Sequence, residues 1–251
     1  MASRFWTWLH KKGSPPVFYD MADRWAPWLG WLSLIAIAVG LFGGLVLAPT
    51  DYQQGDSYRI IYIHVPSAWM SMFVYMFMAS MAAVGIVWRL KIADAMALTA
   101  APIGAMFTAV ALTSGAIWGK PTWGTYWVWD ARLTSELILL FLYLGYIALY
   151  NAIEDERTAA RAAGILALVG VVNIPIIHFS VEWWHSLHQG PIEINLTEKS
   201  SLQPSMLWPL LTTMAGFQML FFWALLRRTQ TLVLTKEIAA KWVKRLMESK
   251  A

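Results

Sequence analysis

The sequence predicts an all-α integral membrane protein of six transmembrane helices with both termini in the cytoplasm, and three observations predict it. Hydrophobic residues supply 58% of the 251 and charged residues only 14%, against about 25% charged in an ordinary soluble domain. Six apolar runs, each free of Asp, Glu, Lys and Arg in its strict core, approach the roughly 20 residues that cross a bilayer as a helix. Fifteen of the nineteen Lys and Arg residues fall in the N-terminal segment, the second and fourth connections and the C-terminal tail, and positive charge marks the cytoplasmic side. The net charge of +4 is therefore cytoplasmic anchoring, and no nucleic-acid partner is implied. The chain reads as one membrane domain, 1–251.

The first span, 27–49, lies too far from the N-terminus and is too long to be the core of a cleavable signal; its Gly40 and Gly44 form a small-residue pair that permits close helix contact. An outer loop, 50–62, carries Arg59. The second span, 63–88, opens on "IHVP", where His64 precedes a Pro66 tolerated in a first helical turn. Arg89 and Lys91 hold the next connection inside, and the third span is 98–118. A second outer loop, 119–132, contains "WGTYWVWD". The strictly charge-free run of the fourth span starts at Leu137 and is short, so this span is placed at 133–153, beginning near Arg132. Arg157 and Arg161 precede the fifth span, 162–180, with His178 near its outer end. The third outer loop, 181–204, holds "WWHSLHQG", and the sixth span is 205–226. The tail from Thr235 to Lys250 places Glu237/Lys241 and Lys244/Glu248 four apart; a helix on the anionic leaflet and a solvated tail are both open for it.

Chemistry gathers on the outer side. Sixteen Trp are present and no Cys, so disulfides, thiolate metal sites and covalent attachment of c-type haem to this chain are excluded. Trp118, Trp123, Trp127, Trp129, Trp183 and Trp184 fall on or beside the outer loops, as do His64, His185 and His188 and the cations Arg59, Lys120, Arg132 and Lys199. Only His10 lies inside. Any one of these Trp is explained by interfacial anchoring, but a belt spreads over many helix ends, whereas these crowd into one loop. Trp127 and Trp129 share a face if the loop is extended, Trp123 and Trp127 if it is helical; either makes an aromatic platform. Gly119 and Gly124 leave little bulk beside it, room for a flat ligand to approach.

The remaining residues each carry two readings. Asp130 serves as the N-cap of the fourth helix, or as part of the site. Arg132 and Glu136, four apart, are placed to pair at the membrane edge, and Arg59 and Arg132 are interfacial charges or ligand contacts. His185 and His188 share one side of a helical turn, yet no H-E-x-x-H pattern accompanies them, which argues against an independent zinc site. Together the inventory matches haem: a flat apolar macrocycle stacks on aromatic walls, its iron takes neutral imidazole, and its propionates seek Arg or Lys.

"WGTYWVWD" matches the signature W-G-x-x-W-x-W-D of the haem-handling membrane proteins of cytochrome c maturation. With "SYRIIYIHVPSAW", "SGAIWGKPTWGTYWVWDARLTSEL" and "NIPIIHFSVEWWHSLHQG" in the same order, the chain from about Trp25 to Gly190 resembles the haem exporter protein C family. The resemblance implies axial haem-iron ligands at His64 and His188. It implies a haem platform of Trp123, Gly124, Trp127, Trp129 and Asp130, with Tyr126 standing where a relative carries Trp, and it leaves His185 without a role. Arg59 and Arg132 are the candidate propionate contacts. It further implies haem b as the bound group and a multi-pass protein of the bacterial inner membrane whose haem site faces the periplasm. The implied partners are a membrane-anchored periplasmic haem chaperone that receives the haem, a small single-span subunit, and the ATPase and membrane subunits of an ABC transporter. No G-x-x-x-x-G-K-[ST] occurs here, so ATP chemistry belongs to those partners. No residue stands out as an acid, base or nucleophile; a lyase-like role in attaching haem to the chaperone would be catalysis by positioning. Two other readings are a transporter of another solute, which requires polar groups deep in the spans, and a structural subunit whose aromatic loop docks a partner.

Overall fold

The computed structural model describes residues 13–188, 190 and 202–250; His10, Arg4, Lys11, Lys12, Pro191 and Lys199 lie outside them. Helices account for every regular element among the described residues, apart from an isolated bridge between Asp51 and Gly55. They are α1 (Pro15–Phe42), α2 (Ile61–Trp88), α3 (Lys91–Trp123), α4 (Ala131–Ala152), α5 (Glu156–Gly170), α6 (Asn173–Trp183), α7 (Pro204–Lys236) and α8 (Lys241–Lys250). Six segments are long and apolar enough to cross a membrane: Pro15–Leu47, Asp56–Trp88, Lys91–Trp123, Ala131–Ala152, Glu156–Trp183 and Pro204–Lys236.

Several helices run past their apolar cores. α1 starts at Pro15, where prolines in the first turn cost no intrahelical hydrogen bond, contains Pro27, and continues through a π turn, Gly43–Leu47. α3 extends to Trp123 and stops because Gly124 adopts φ +79° and donates to the Lys120 carbonyl at 3.0 Å, a left-handed cap that Gly enters without a Cβ penalty. The fifth crossing is broken between α5 and α6. Pro175 lacks the N–H that would bond Val171, and its ring crowds that carbonyl, so the chain turns at Val171 and Val172 and restarts at Asn173.

α1 packs along α7 and α2 along α3. The Gly40/Gly44 pair lies in such contacts: Gly40 meets the Thr213 side chain of α7, and Gly44 the ring of Tyr62. Within a bilayer such close approach gains dispersion, and interhelical hydrogen bonds add to it. Thr99 and Thr229 join α3 to α7 at 2.7 Å, Tyr143 donates to the Ser71 carbonyl at 2.7 Å, and Asn173 donates to the Ser135 carbonyl at 2.9 Å.

Cross-helix contacts sort the molecule into two ends. At one, Gln230 of α7 donates to the Tyr19 carbonyl of α1, Lys91 faces Glu237, and Lys236 pairs with Glu156 and bonds Tyr150. The tail is helical there: α8 lays Trp242 against Tyr19, ring centroids 5.9 Å apart, and buries Val243. At the other end Trp118 donates to Gln54, Arg59 to the Gly44 and Leu45 carbonyls, and Arg132 to the end of α6. His64, His188 and the Trp-rich loop belong to this second end.

Candidate functional site

A cavity of about 350 Å³ opens at that end, and His64, Trp118, Trp123, Trp127, Arg132 and His188 are in its wall. These six come from three stretches of the sequence: the first turn of α2, the continuous run through the end of α3, the loop Gly124–Asp130 and the first turn of α4, and the segment after α6.

The His64 imidazole is anchored on α3. Its Nδ1 lies 3.0 Å from the Ala111 carbonyl and 3.1 Å from Ser114 Oγ, while Ser114 Oγ itself donates to the Val110 carbonyl at 2.6 Å. A carbonyl only accepts, so the proton belongs on Nδ1, and Nε2 keeps its lone pair. This is the tautomer that binds a metal, with the carbonyl fixing the ring and raising its basicity. α3 leaves room for the ring at Gly115, where a Cβ would come within 2.9 Å of the imidazole Cε1. Trp118 stands edge-on at 5.6 Å.

The His188 ring lies beside that of His64, with centroids 6.2 Å apart and planes at 35°, and Trp123 is 6.2 Å from His188. Metal–imidazole bonds of about 2.0 Å put two rings on opposite sides of one metal at roughly this centroid spacing. The His188 backbone N–H donates to Ser186 Oγ at 3.0 Å, and Ser186 Oγ in turn donates to Asp130. Its Nδ1 is 3.4 Å from Arg132 Nη1. His185 is exposed and absent from the cavity wall, whereas His178, also exposed, is part of it. Among the described residues no group of three or more His, Cys, Asp and Glu gathers that could hold a bare ion.

The aromatic loop is irregular, not helical, between Gly124 and Asp130, with bends at 124–126. Trp127 and Trp129 touch edge-on at 5.4 Å, but only Trp127 lines the cavity; Trp129 is 77% exposed. Trp127 Nε1 is buried without a hydrogen-bond partner, a cost that a ligand acceptor in the cavity would remove. Gly124 is outside the wall and serves as the α3 cap, while Gly119 packs under the Trp123 ring. Asp130 caps α4, accepting from Leu133 N at 2.8 Å, and also accepts from Ser186.

The expected Arg132–Glu136 pair does not form. Arg132 turns to α6, where Nε donates to Ser180 Oγ at 3.0 Å and Nη2 to the Ile177 and His178 carbonyls at 3.3 and 3.1 Å. The guanidinium thus adds a second donor to two carbonyls in the last turns of α6, and Ser180 Oγ also donates to that of Ile177 at 2.8 Å. Glu136 points the other way: it is 8% exposed, accepts from Ser71 at 2.7 Å and reaches the cavity wall. A buried carboxyl inside a span is a functional-site signal, one hidden in the sequence by placing Glu136 at the membrane edge. Arg59 bonds Asp56 at 3.0 Å and the Gly44 and Leu45 carbonyls, and is not in the cavity wall. Ser114, Ser180 and Ser186 carry no sequence signal beyond being polar near helix ends; only the fold brings them to the imidazoles and Arg132.

The family model described as "Heme exporter protein C" matches residues 8–244. The chain is 50% identical over 242 residues to the Heme exporter protein C of Escherichia coli (strain K12), covering 96% of this chain and 97% of that one. It is 52% identical over 209 residues to that of Bradyrhizobium diazoefficiens, covering 83% and 78%, and 49% identical over 244 residues to that of Haemophilus influenzae, covering 97% and 99%.

Proposed function

The chain belongs to the Heme exporter protein C family, a family of multi-pass membrane proteins of haem transport and cytochrome c biogenesis, and from that premise we propose that it holds haem b between His64 and His188 and delivers it to a partner. Haem is the cargo here, not a resident cofactor. The observation that carries the reading is the pair of imidazoles 6.2 Å apart at a Trp-walled cavity. Two nitrogen donors fall short of the three or four protein ligands that a bare zinc-type ion takes. They suffice for an iron whose other positions its own macrocycle fills. The His64 Nε2 lone pair suits that role, and the partnerless Trp127 Nε1 suits an acceptor at the macrocycle edge.

In this reading Trp123 and Trp127 flank the porphyrin, and Trp129, exposed beside Trp127, extends the platform toward an incoming partner. Gly124 and Asp130 shape the loop that carries them. Arg132 lies in the cavity wall and is the nearer propionate contact. Arg59 serves as the second only by giving up the Gly44 and Leu45 carbonyls. The Lys and Arg bias supports a site on the outer, periplasmic face with both termini in the cytoplasm, and the family supports the bacterial inner membrane. The receiver is a membrane-anchored periplasmic haem chaperone, assisted by a single-span subunit, with an ABC transporter supplying ATP hydrolysis. Any attachment of haem to the chaperone is catalysis by positioning at this cavity.

The test is an absorption spectrum of the purified, detergent-solubilised protein. The wild type is expected to show a Soret band, with His64→Ala lowering haem content at least about tenfold, the worth of one strong metal–ligand interaction, and His188→Ala lowering it less. Wild-type spectra in both variants would remove the axial assignment; an absent band in the wild type would remove the haem reading itself.

A further inference from the structure

The two imidazoles are held by different parts of the molecule. His64 rides on α2 and is fixed by α3, two helices packed along their length. His188 follows α6 and is reached from the Trp-rich loop and the turn it feeds: Asp130 accepts from Ser186, and Ser186 Oγ accepts from the His188 backbone N–H at 3.0 Å. Arg132 adds its 3.4 Å approach to His188 Nδ1. Asp130 has both oxygens engaged, one by Leu133 N at 2.8 Å and the other by Ser186. The carboxylate thus joins three things: the end of the loop bearing Trp127 and Trp129, the start of α4, and the segment bearing His188.

The donors also differ. His64 Nδ1 faces a carbonyl, which leaves Nε2 free and strengthens it as a ligand. His188 Nδ1 faces a guanidinium, which only donates, so this ring takes iron on Nε2 only after that nitrogen gives up its proton to Nδ1 and the Arg132 contact is lost. The second imidazole is the weaker ligand, and side-chain hydrogen bonds through Ser186 and Asp130 hold its segment where helix packing holds that of His64.

We propose that Asp130 and Ser186 form a latch that positions His188 as the releasable axial ligand, so that displacement of the Trp-rich loop withdraws this imidazole while haem stays on His64. The proposal rests on the haem reading above. The step is a ligand loss: the iron–nitrogen bond to His188 breaks, both bonding electrons leave with the imidazole, and iron keeps its oxidation state. One face of the iron opens as the loop moves. Ser186 is a positioning residue, since it acts through the His188 backbone.

The experiment compares ferric spectra of the full chain as wild type, His188→Ala, Ser186→Ala and Ser186→Thr, read by visible absorption and electron paramagnetic resonance. The wild type is expected to be six-coordinate and low-spin. Ser186→Ala should move most of the haem to a high-spin, five-coordinate form resembling His188→Ala, reversed by added imidazole. Haem content should stay within about twofold of wild type, because His64 still binds. Ser186→Thr keeps the hydroxyl and should stay low-spin. A wild-type spectrum in Ser186→Ala, beside a high-spin His188→Ala, overturns the latch and leaves the haem reading intact. A Thr variant as high-spin as the Ala variant also overturns the latch, since the hydroxyl is then not the cause. No Soret band in the wild type, or a His188→Ala spectrum identical to it, overturns the underlying reading and the latch with it.

Discussion

Two helices of this protein begin with the same device and use it differently. α4 starts at Asp130, whose carboxylate accepts from Leu133 N at 2.8 Å; α5 starts at Asp155, whose carboxylate accepts from Thr158 N at 2.8 Å. Locally the two caps are interchangeable, each satisfying one of the orphan N–H groups of a helix start. Asp155 stands at the end of the molecule where α8 packs, with its carboxylate on its own helix. Asp130 has a second oxygen on Ser186, and through it the His188 segment. A capping geometry by itself therefore says nothing about function; what the remaining oxygen touches does.

The sharpest way to break the contrast is Asp130→Ala. It removes the cap, worth about 1 kcal/mol, and a charge-assisted bond to Ser186 of roughly 1.5–3 kcal/mol. Haem retention is expected to fall about tenfold, with the remaining haem high-spin. Retention and spin state equal to wild type would reduce Asp130 to an ordinary cap. A smaller effect is expected from Asp130→Asn. Its amide oxygen still caps Leu133 N, while its NH2 meets the Ser186 hydroxyl without a negative charge. Retention should stay within about twofold of wild type, with a mixed spin population and an unchanged melting temperature. If Asn and Ala behave alike, the charge of Asp130, not its capping, holds the His188 segment.

The contrast also shows what was legible before the fold was known. The six crossings were readable because charge is costly in lipid and its gaps mark the spans. Asp130 as a cap was readable too, since a short acid before an amphipathic run is a local signal. Its grip on Ser186 was not, because 56 residues separate the two in sequence and no periodicity links them. The same holds for Arg132: spacing pointed to Glu136, one turn along the same helix, but Ser180 Oγ and two carbonyls of α6 offer the guanidinium several acceptors at once. His64 and His188 stand in motifs that the resemblance singles out, and both line the cavity while His185, three residues from His188, does not. The break at Val171 is not read from the sequence: the run 162–180 reads as one span, because hydropathy is blind to the N–H that Pro175 lacks.

The smallest effect is expected at the other cap, and it calibrates the rest. The hydrogen bonds from Thr158 hold the Asp155 carboxyl below the usual Asp range. A depressed carboxyl contributes stability above the unfolded-state pKa, which is lost as pH falls through the lower folded-state value. Asp155→Ala should thus lower the melting temperature by about 2 °C at neutral pH, and the gap to wild type should close on acidification below about pH 4. Spin state and haem content should not change at any pH where the protein stays folded. A spin-state change in Asp155→Ala would mean that loosening any helix start reaches the imidazoles. The effects of Asp130 substitutions would then report general destabilisation, not a connection to His188.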